Sequence, residues 1–172
     1  RSKTSLYKTC LRNSAGSDLA ILKSDVERDT VRIFFDSSAL IAGLASPKGG
    51  AGAILDLCEA GLLQAVMSRQ VLVEVDRTIQ AKFPALVQQV RAFMRSLSPE
   101  LVEDPSQTEI EQATKIIIAH DAPILAAALK ANPEYLISLN TKHFCTFLVR
   151  KTFPFKVLTP AEFWKEWRQK IL

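Results

Sequence analysis

Three carboxylates and one amide occupy positions from which this chain could do chemistry: Asp36, Glu74, Asp121 and Asn140. Oxygen donors without a cluster of His and Cys are hard ligands and select Mg2+ or Mn2+ over zinc. Magnesium held by only a few carboxylates keeps several waters, so one water can become an attacking hydroxide while a neighbouring carboxylate orients it. Asp36 follows the apolar run Val31–Phe35, at what would be the carboxyl end of a buried strand, where open α/β sheets bind ligands. It could also cap a helix, but Ser37 or Ser38 can cap without placing a charge beside Phe34 and Phe35. Glu74 borders the apolar side of a helix carrying Val71 and Val75, and its plainer reading is a surface glutamate. Asp121 suits the N-cap of a helix with Pro123 in its first turn, a role compatible with presenting an oxygen to a metal. Asn140 follows a strand end and reads either as a turn residue or as a neutral oxygen ligand.

The elements that must hold these residues alternate between strands and helices. The unbroken β-favouring run from Val31 to Phe35 predicts a strand covered on both faces. A short helix through Ala39 to Leu44 follows, then a Gly-rich loop at 46–52, and a helix from about Ala53 to Ala60 stopped by Gly61. Leu62–Met67 reads as a second strand, and Ser68 caps a helix through about Lys82 with Val71, Leu72, Val75 and Ile79 on one side. A helix over about Pro84–Ser96, a short strand at Leu101–Val102, and helices over about Gln107–Ile118 and Ala122–Asn132 come next. Tyr135–Leu139 and Phe155–Leu158 read as strands, and Pro160–Lys170 as a closing helix. Such alternation predicts an α/β fold, a three-layer α/β/α sandwich around a mainly parallel central sheet. Residues 1–30 show no sustained period and are expected to be a flexible or appended extension, leaving the domain to residues 31–172.

Composition excludes several classes. The 172 residues carry three cysteines that sit far apart, outside any CxxC, and two histidines, so neither a disulfide scaffold nor a zinc site is expected. No apolar run approaches the roughly 20 residues of a membrane span, which leaves an intracellular, cytoplasmic setting without a membrane partner. Lys48-Gly49-Gly50-Ala51-Gly52 opens like a phosphate-binding loop, but Ala53 and Ile54 follow where Lys and Ser/Thr are required. His120-Asp121 lacks the upstream histidine of a metal-binding HD site, and Asp36-Ser37-Ser38 lacks the second carboxylate of aspartyl-phosphate enzymes. The net charge of +4 divides into −5 over residues 99–140 and +5 over 141–172. That division fits a metal site beside a phosphate-binding surface, and it fits two solvated faces as well.

Four segments, in order, carry a resemblance: Phe34-Phe35-Asp36-Ser37-Ser38, Val71-Leu72-Val73-Glu74-Val75, His120-Asp121-Ala122-Pro123-Ile124-Leu125-Ala126-Ala127-Ala128, and Leu136-Ile137-Ser138-Leu139-Asn140-Thr141-Lys142-His143-Phe144. Over roughly Val31 to Trp167 the chain resembles the PIN domain family, and within it the toxin components related to virulence-associated protein C (VapC). The resemblance implies an acidic cluster holding Mg2+ or Mn2+ and cleavage of RNA phosphodiester bonds. It assigns Asp36, Glu74 and Asp121 to the family's first three acidic positions, as metal ligands and catalytic groups. A further Asp is usual near the end of the third strand; here Asn140 and His143 take its place. Ser37, Ser38 and Asn140 are then expected to support the ligands, and Lys142 to meet substrate phosphate. The implied function is a metal-dependent endoribonuclease, the toxin of a toxin–antitoxin pair, acting on single-stranded RNA, with an antitoxin protein and a second copy of the chain as partners. The alternative is a catalytically degenerate PIN fold that binds RNA or protein without cutting.

Overall fold

The computed structural model describes residues 30–171. The expected run becomes strand β1 (Arg32–Phe35), followed by β2 (Gln64–Ser68), β3 (Glu100–Val102), β4 (Tyr135–Ile137) and β5 (Lys156–Leu158). They form one sheet in the order β3-β2-β1-β4-β5, with every neighbouring pair parallel. Successive side chains of a strand point to opposite faces, yet Ile33, Phe34 and Phe35, and likewise Tyr135, Leu136 and Ile137, are all buried. Both faces of the sheet are therefore covered, which is why these strands read as unbroken apolar runs. The covering helices are α1 (Ser37–Ala45), α2 (Gly50–Glu59), α3 (Arg69–Lys82), α4 (Val87–Leu97), α5 (Gln107–Ala113), α6 (Ala122–Ala131), α7 (Phe147–Thr152) and α8 (Pro160–Ile171). The architecture is the expected three-layer α/β/α sandwich.

The strand order fixes where a ligand can sit. From β1 the chain moves outward through β2 and β3, then returns to the other side of β1 for β4 and β5. The direction of winding reverses between β1 and β4, so a crevice opens beyond their carboxyl ends. The register pairs Phe35 with Ile137, and the Asp36 amide still donates to the Ile137 carbonyl at 3.0 Å. Asp36 and Ser138 thus leave the sheet side by side. Helix α6 enters β4 through only three residues, 132–134, and must run antiparallel to it, which brings its N-terminus and Asp121 to the same edge. Its Ala122, Ala126, Ala127, Ala128 and Ala131 are buried, and side chains this small let the helix lie close against its neighbours.

Several boundaries differ from expectation for physical reasons. The Gly-rich stretch expected as a loop contributes the first turn of α2. A Cβ at Gly52 would lie 2.2 Å from the Pro47 carbonyl oxygen, so glycine here allows close backbone approach rather than flexibility. Gly61, with φ of +71°, ends the segment after α2 as expected. The helix expected over 107–118 opens on a capping box (Ser106 with Glu109) and stops at Ala113. Residues 114–117 then form tighter turns, with Lys115 N–H on Gln112 O and Ile116 N–H on Ala113 O. Thr114, Ile116 and Ile117 in that stretch are poor helix formers, and the Thr114 hydroxyl donates to the Glu111 carbonyl instead. Helix α7 was not anticipated, because its six residues are too short to display a period; the Thr146 hydroxyl caps it by accepting from Val149 N–H.

Cys58 and Cys145 are free thiols. Cys10 and all but the last residue of the 1–30 extension lie outside the described residues. Among the described residues no helix is long and apolar enough to cross a membrane.

Candidate active site

Asp36 stands immediately beyond β1, in the N-cap position of α1, and is only 3% exposed. Its carboxylate makes no side-chain capping bond. Instead Oδ2 accepts hydrogen bonds from the hydroxyls of Ser38 at 2.5 Å and Ser138 at 2.7 Å, and the Ser37 hydroxyl lies 3.3 Å from Oδ1. Burial raises the Asp36 carboxyl pKa above its ordinary value; the Ser38 and Ser138 hydroxyls and the Ser37 amide oppose that shift, and the negative charge of Asp121 adds to it.

Asp121 is 6% exposed and occupies the N-cap position of α6. The expected capping bond is not made: the residue has helical backbone angles (φ −92°, ψ −10°), and its side chain turns to the loop after β4. There Oδ2 receives the Asn140 amide at 3.2 Å and the His143 Nδ1 at 2.7 Å. Asn140 Oδ1 in turn accepts from the His143 backbone N–H at 3.3 Å. The loop is braced from below, since the Ser138 hydroxyl accepts from Asn140 N–H and the Ser38 hydroxyl from Leu139 N–H, both at 3.0 Å. Asp36, Ser38, Ser138, Asn140, His143 and Asp121 therefore form one continuous hydrogen-bonded network linking β1, β4 and α6.

Glu74 lies in the second turn of α3, a helix that starts at the same sheet edge, capped by the Ser68 hydroxyl on Val71 N–H. It is half-buried, and its Oε1 accepts from the Gln70 amide one turn earlier at 2.9 Å. No hydrogen bond joins Glu74 to either aspartate, and among the described residues no three His, Cys, Asp or Glu side chains converge on one metal position. Lys142 is exposed at the rim. The carboxylate pair does fit a hydrated divalent cation. Hard carboxylate oxygens are the donors magnesium takes, and it needs only one or two of them while it keeps its waters.

Sequence reasoning passed over Ser138 as a functional residue. The signal was present: once β1 and β4 are taken as parallel neighbours, the residue after Ile137 must face the residue after Phe35. The missing datum was the register.

Among curated proteins, none matches this chain. Two solved structures are similar in fold. PAE2754 from Pyrobaculum aerophilum superimposes with a TM-score of 0.56 at 12% identity, over 81% of this chain and 90% of that one. VapBC2 from Rickettsia felis, solved bound to a DNA fragment from its promoter, gives 0.51 at 18% identity, over 75% and 98%. A family model described as PIN domain matches residues 32–142, a span that contains Asp36, Glu74, Asp121, Asn140 and Lys142. With that match over more than half of the chain, and the strand order and edge-clustered carboxylates described above, the protein belongs to the PIN domain family, whose members are generally nucleases.

Proposed function

We propose that this PIN domain is a Mg2+- or Mn2+-dependent endoribonuclease that hydrolyses phosphodiester bonds in single-stranded RNA. The observation that supports the reading is the pair of buried aspartates, Asp36 and Asp121, tied into one hydrogen-bonded network at the point where the winding of the sheet reverses. In this reading Asp36 and Asp121 hold the cation, and Glu74 orients the attacking water or adds a ligand through water. A bound divalent ion would lower the pKa of its water and neutralise charge on the scissile phosphate. The chain's own groups do the rest. The hydroxyls of Ser38 and Ser138 fix the Asp36 carboxylate, with Ser37 beside it. Asn140 and His143 fix Asp121, and Lys142 meets a substrate phosphate. The test is cleavage of a labelled single-stranded RNA with Mg2+, Mn2+ or EDTA. Cleavage that needs the metal and disappears in Asp36→Asn supports the assignment; full activity in that variant sinks it.

The likeness of fold to VapBC2 supports a toxin role with a protein antitoxin. An antitoxin segment would silence the crevice by setting an Arg or Lys between the two carboxylates. A second copy of this chain is also proposed as a partner, and light scattering that returns a monomer counts against it. One observation favours a different reading. With Asn140 where a carboxylate is usual and no third converging donor among the described residues, the fold could bind RNA or a partner without cutting. Calorimetry with Mn2+ separates the two, because a binding module shows no metal uptake at millimolar concentration.

A further inference from the structure

A cleft of about 380 Å³ opens beside His143, the partner of Asp121, between the turns that follow α5 and the loop that follows β4. Lys115 and Ile118 line it from one side, and Lys142, His143 and Thr146 from the other. His143 is the partition: its Nδ1 is committed to Asp121, and the same side chain forms part of the cleft wall. The cleft is thus one imidazole away from the Asp121 carboxylate.

Its charge is opposite to theirs. Lys115 and Lys142 are both exposed, and neither ammonium group has an ion-pair or hydrogen-bond partner among the described residues. By contrast Lys130, Lys156, Arg32 and Arg150 each have a carboxylate. Two free cations on opposite walls of one cleft, alongside two buried anions, make a surface suited to a polyanion whose reacting phosphate goes to the acidic side. The next residue beyond the wall, Phe147, opens α7 and is 79% exposed, with Lys151 Nζ 5.7 Å above its ring centroid. An exposed aromatic ring beside cations along a groove is how single-stranded nucleic acid is held without sequence readout: phosphates on lysines and a base on the ring.

We infer that the cleft walled by Lys115, Lys142 and Thr146 is the subsite for the nucleotides flanking the scissile phosphate of a single-stranded RNA, with Lys115 and Lys142 on successive phosphates and Phe147 as a stacking platform. The inference rests on the nuclease reading above and extends it to a substrate track. The early end of α5 acquires a purpose in this arrangement, since residues 114–118 leave the helix and line the same cleft as Lys142.

Binding, not cleavage, is the test. The full chain is titrated against a fluorescein-labelled 2′-O-methyl oligouridylate in EDTA, by anisotropy, over a range of salt. Each phosphate contact to a single strand contributes about 0.7 to the slope of log affinity against log salt. Lys115→Ala with Lys142→Ala should therefore lower that slope by about 1.4. The same slope makes the pair worth on the order of 25-fold in affinity at 0.1 M salt relative to 1 M. Phe147→Ala should weaken binding about fivefold or more, with little change of slope. Lys165→Ala, on α8, is the control and should change neither quantity. An unchanged slope and affinity in the double lysine variant overturns the inference, as does an equal loss in the control or no binding by the unaltered chain. Asp36→Asn should bind this oligonucleotide at least as tightly as the parent. If Asp36→Asn still cuts RNA while the lysine pair loses binding, the catalytic reading fails and the subsite stands; the reverse pattern fails only the subsite.

Discussion

Asp36 and Asp121 hold equivalent places, each at the N-cap of a helix on the same sheet edge, and each declines the capping bond that its position offers. Their surroundings differ. Asp36 is met by neutral hydroxyls from its own helix and from the end of β4, and burial pushes its carboxyl pKa upward. Asp121 is met by an amide and an imidazole from one loop. The first is thus locked by the sheet register, and the second by a loop conformation. The lesson is that the two carboxylates, though chemically alike, should fail in different ways when their supports are removed.

The most severe break removes either charge. Asp36→Asn and Asp121→Asn should each lose metal-dependent cleavage by more than the 10–100-fold that removal of an outer hydrogen-bonding partner typically costs. Single-turnover cleavage rates check this. Next, Asn140→Ala and His143→Ala should each lower metal affinity or rate by about 10–100-fold, because only Asp121 depends on them. Manganese titration monitored by calorimetry should show the weakening directly. On the other side of the crevice, Ser138→Ala strips a donor from a buried carboxylate and should cost about 1–3 kcal/mol of stability at neutral pH, read by urea denaturation. The smallest effect concerns pH. Below the ordinary carboxylate pKa, both folded and unfolded chains hold the Asp36 proton and burial costs nothing. As pH rises from that value to the raised native one, the unfolded chain releases the proton first and stability falls. In EDTA, Asp36→Asn should therefore melt above the parent at neutral pH, and the gap should close as pH drops below the ordinary carboxylate range.

The fold was largely readable because its signals are local and repeated. Runs such as Val31–Phe35 and Tyr135–Ile137 announce strands covered on both faces, and Ser68, Gly61 and Pro160 punctuate the helices between them. Elements shorter than two turns escaped, as α7 did, and so did the stop of α5, where isoleucine packing and the Thr114 hydroxyl override a helical pattern. The glycines in the first turn of α2 read as a loop because the close approach of Gly52 to the Pro47 backbone is invisible without the partner. Asp36 and Asp121 stood out by placement at the ends of predicted elements. Ser38, Asn140 and His143 were legible beside them through the resemblance, but Ser138 was not, since it acquires meaning only when the fold closes a separation of 102 residues from Asp36.

The sequence by itself determined the alternation of strands and helices and the placing of Asp36 and Asp121 at the ends of elements, because periodicity and side-chain type are properties of the chain before it folds. Only the tertiary structure decided that β1 lies beside β4, that Ser138 and His143 rather than helix ends claim the two aspartates, and that Glu74 bonds with Gln70. Those outcomes depend on register, on the direction in which buried side chains turn, and on loops whose geometry is set by what they pack against.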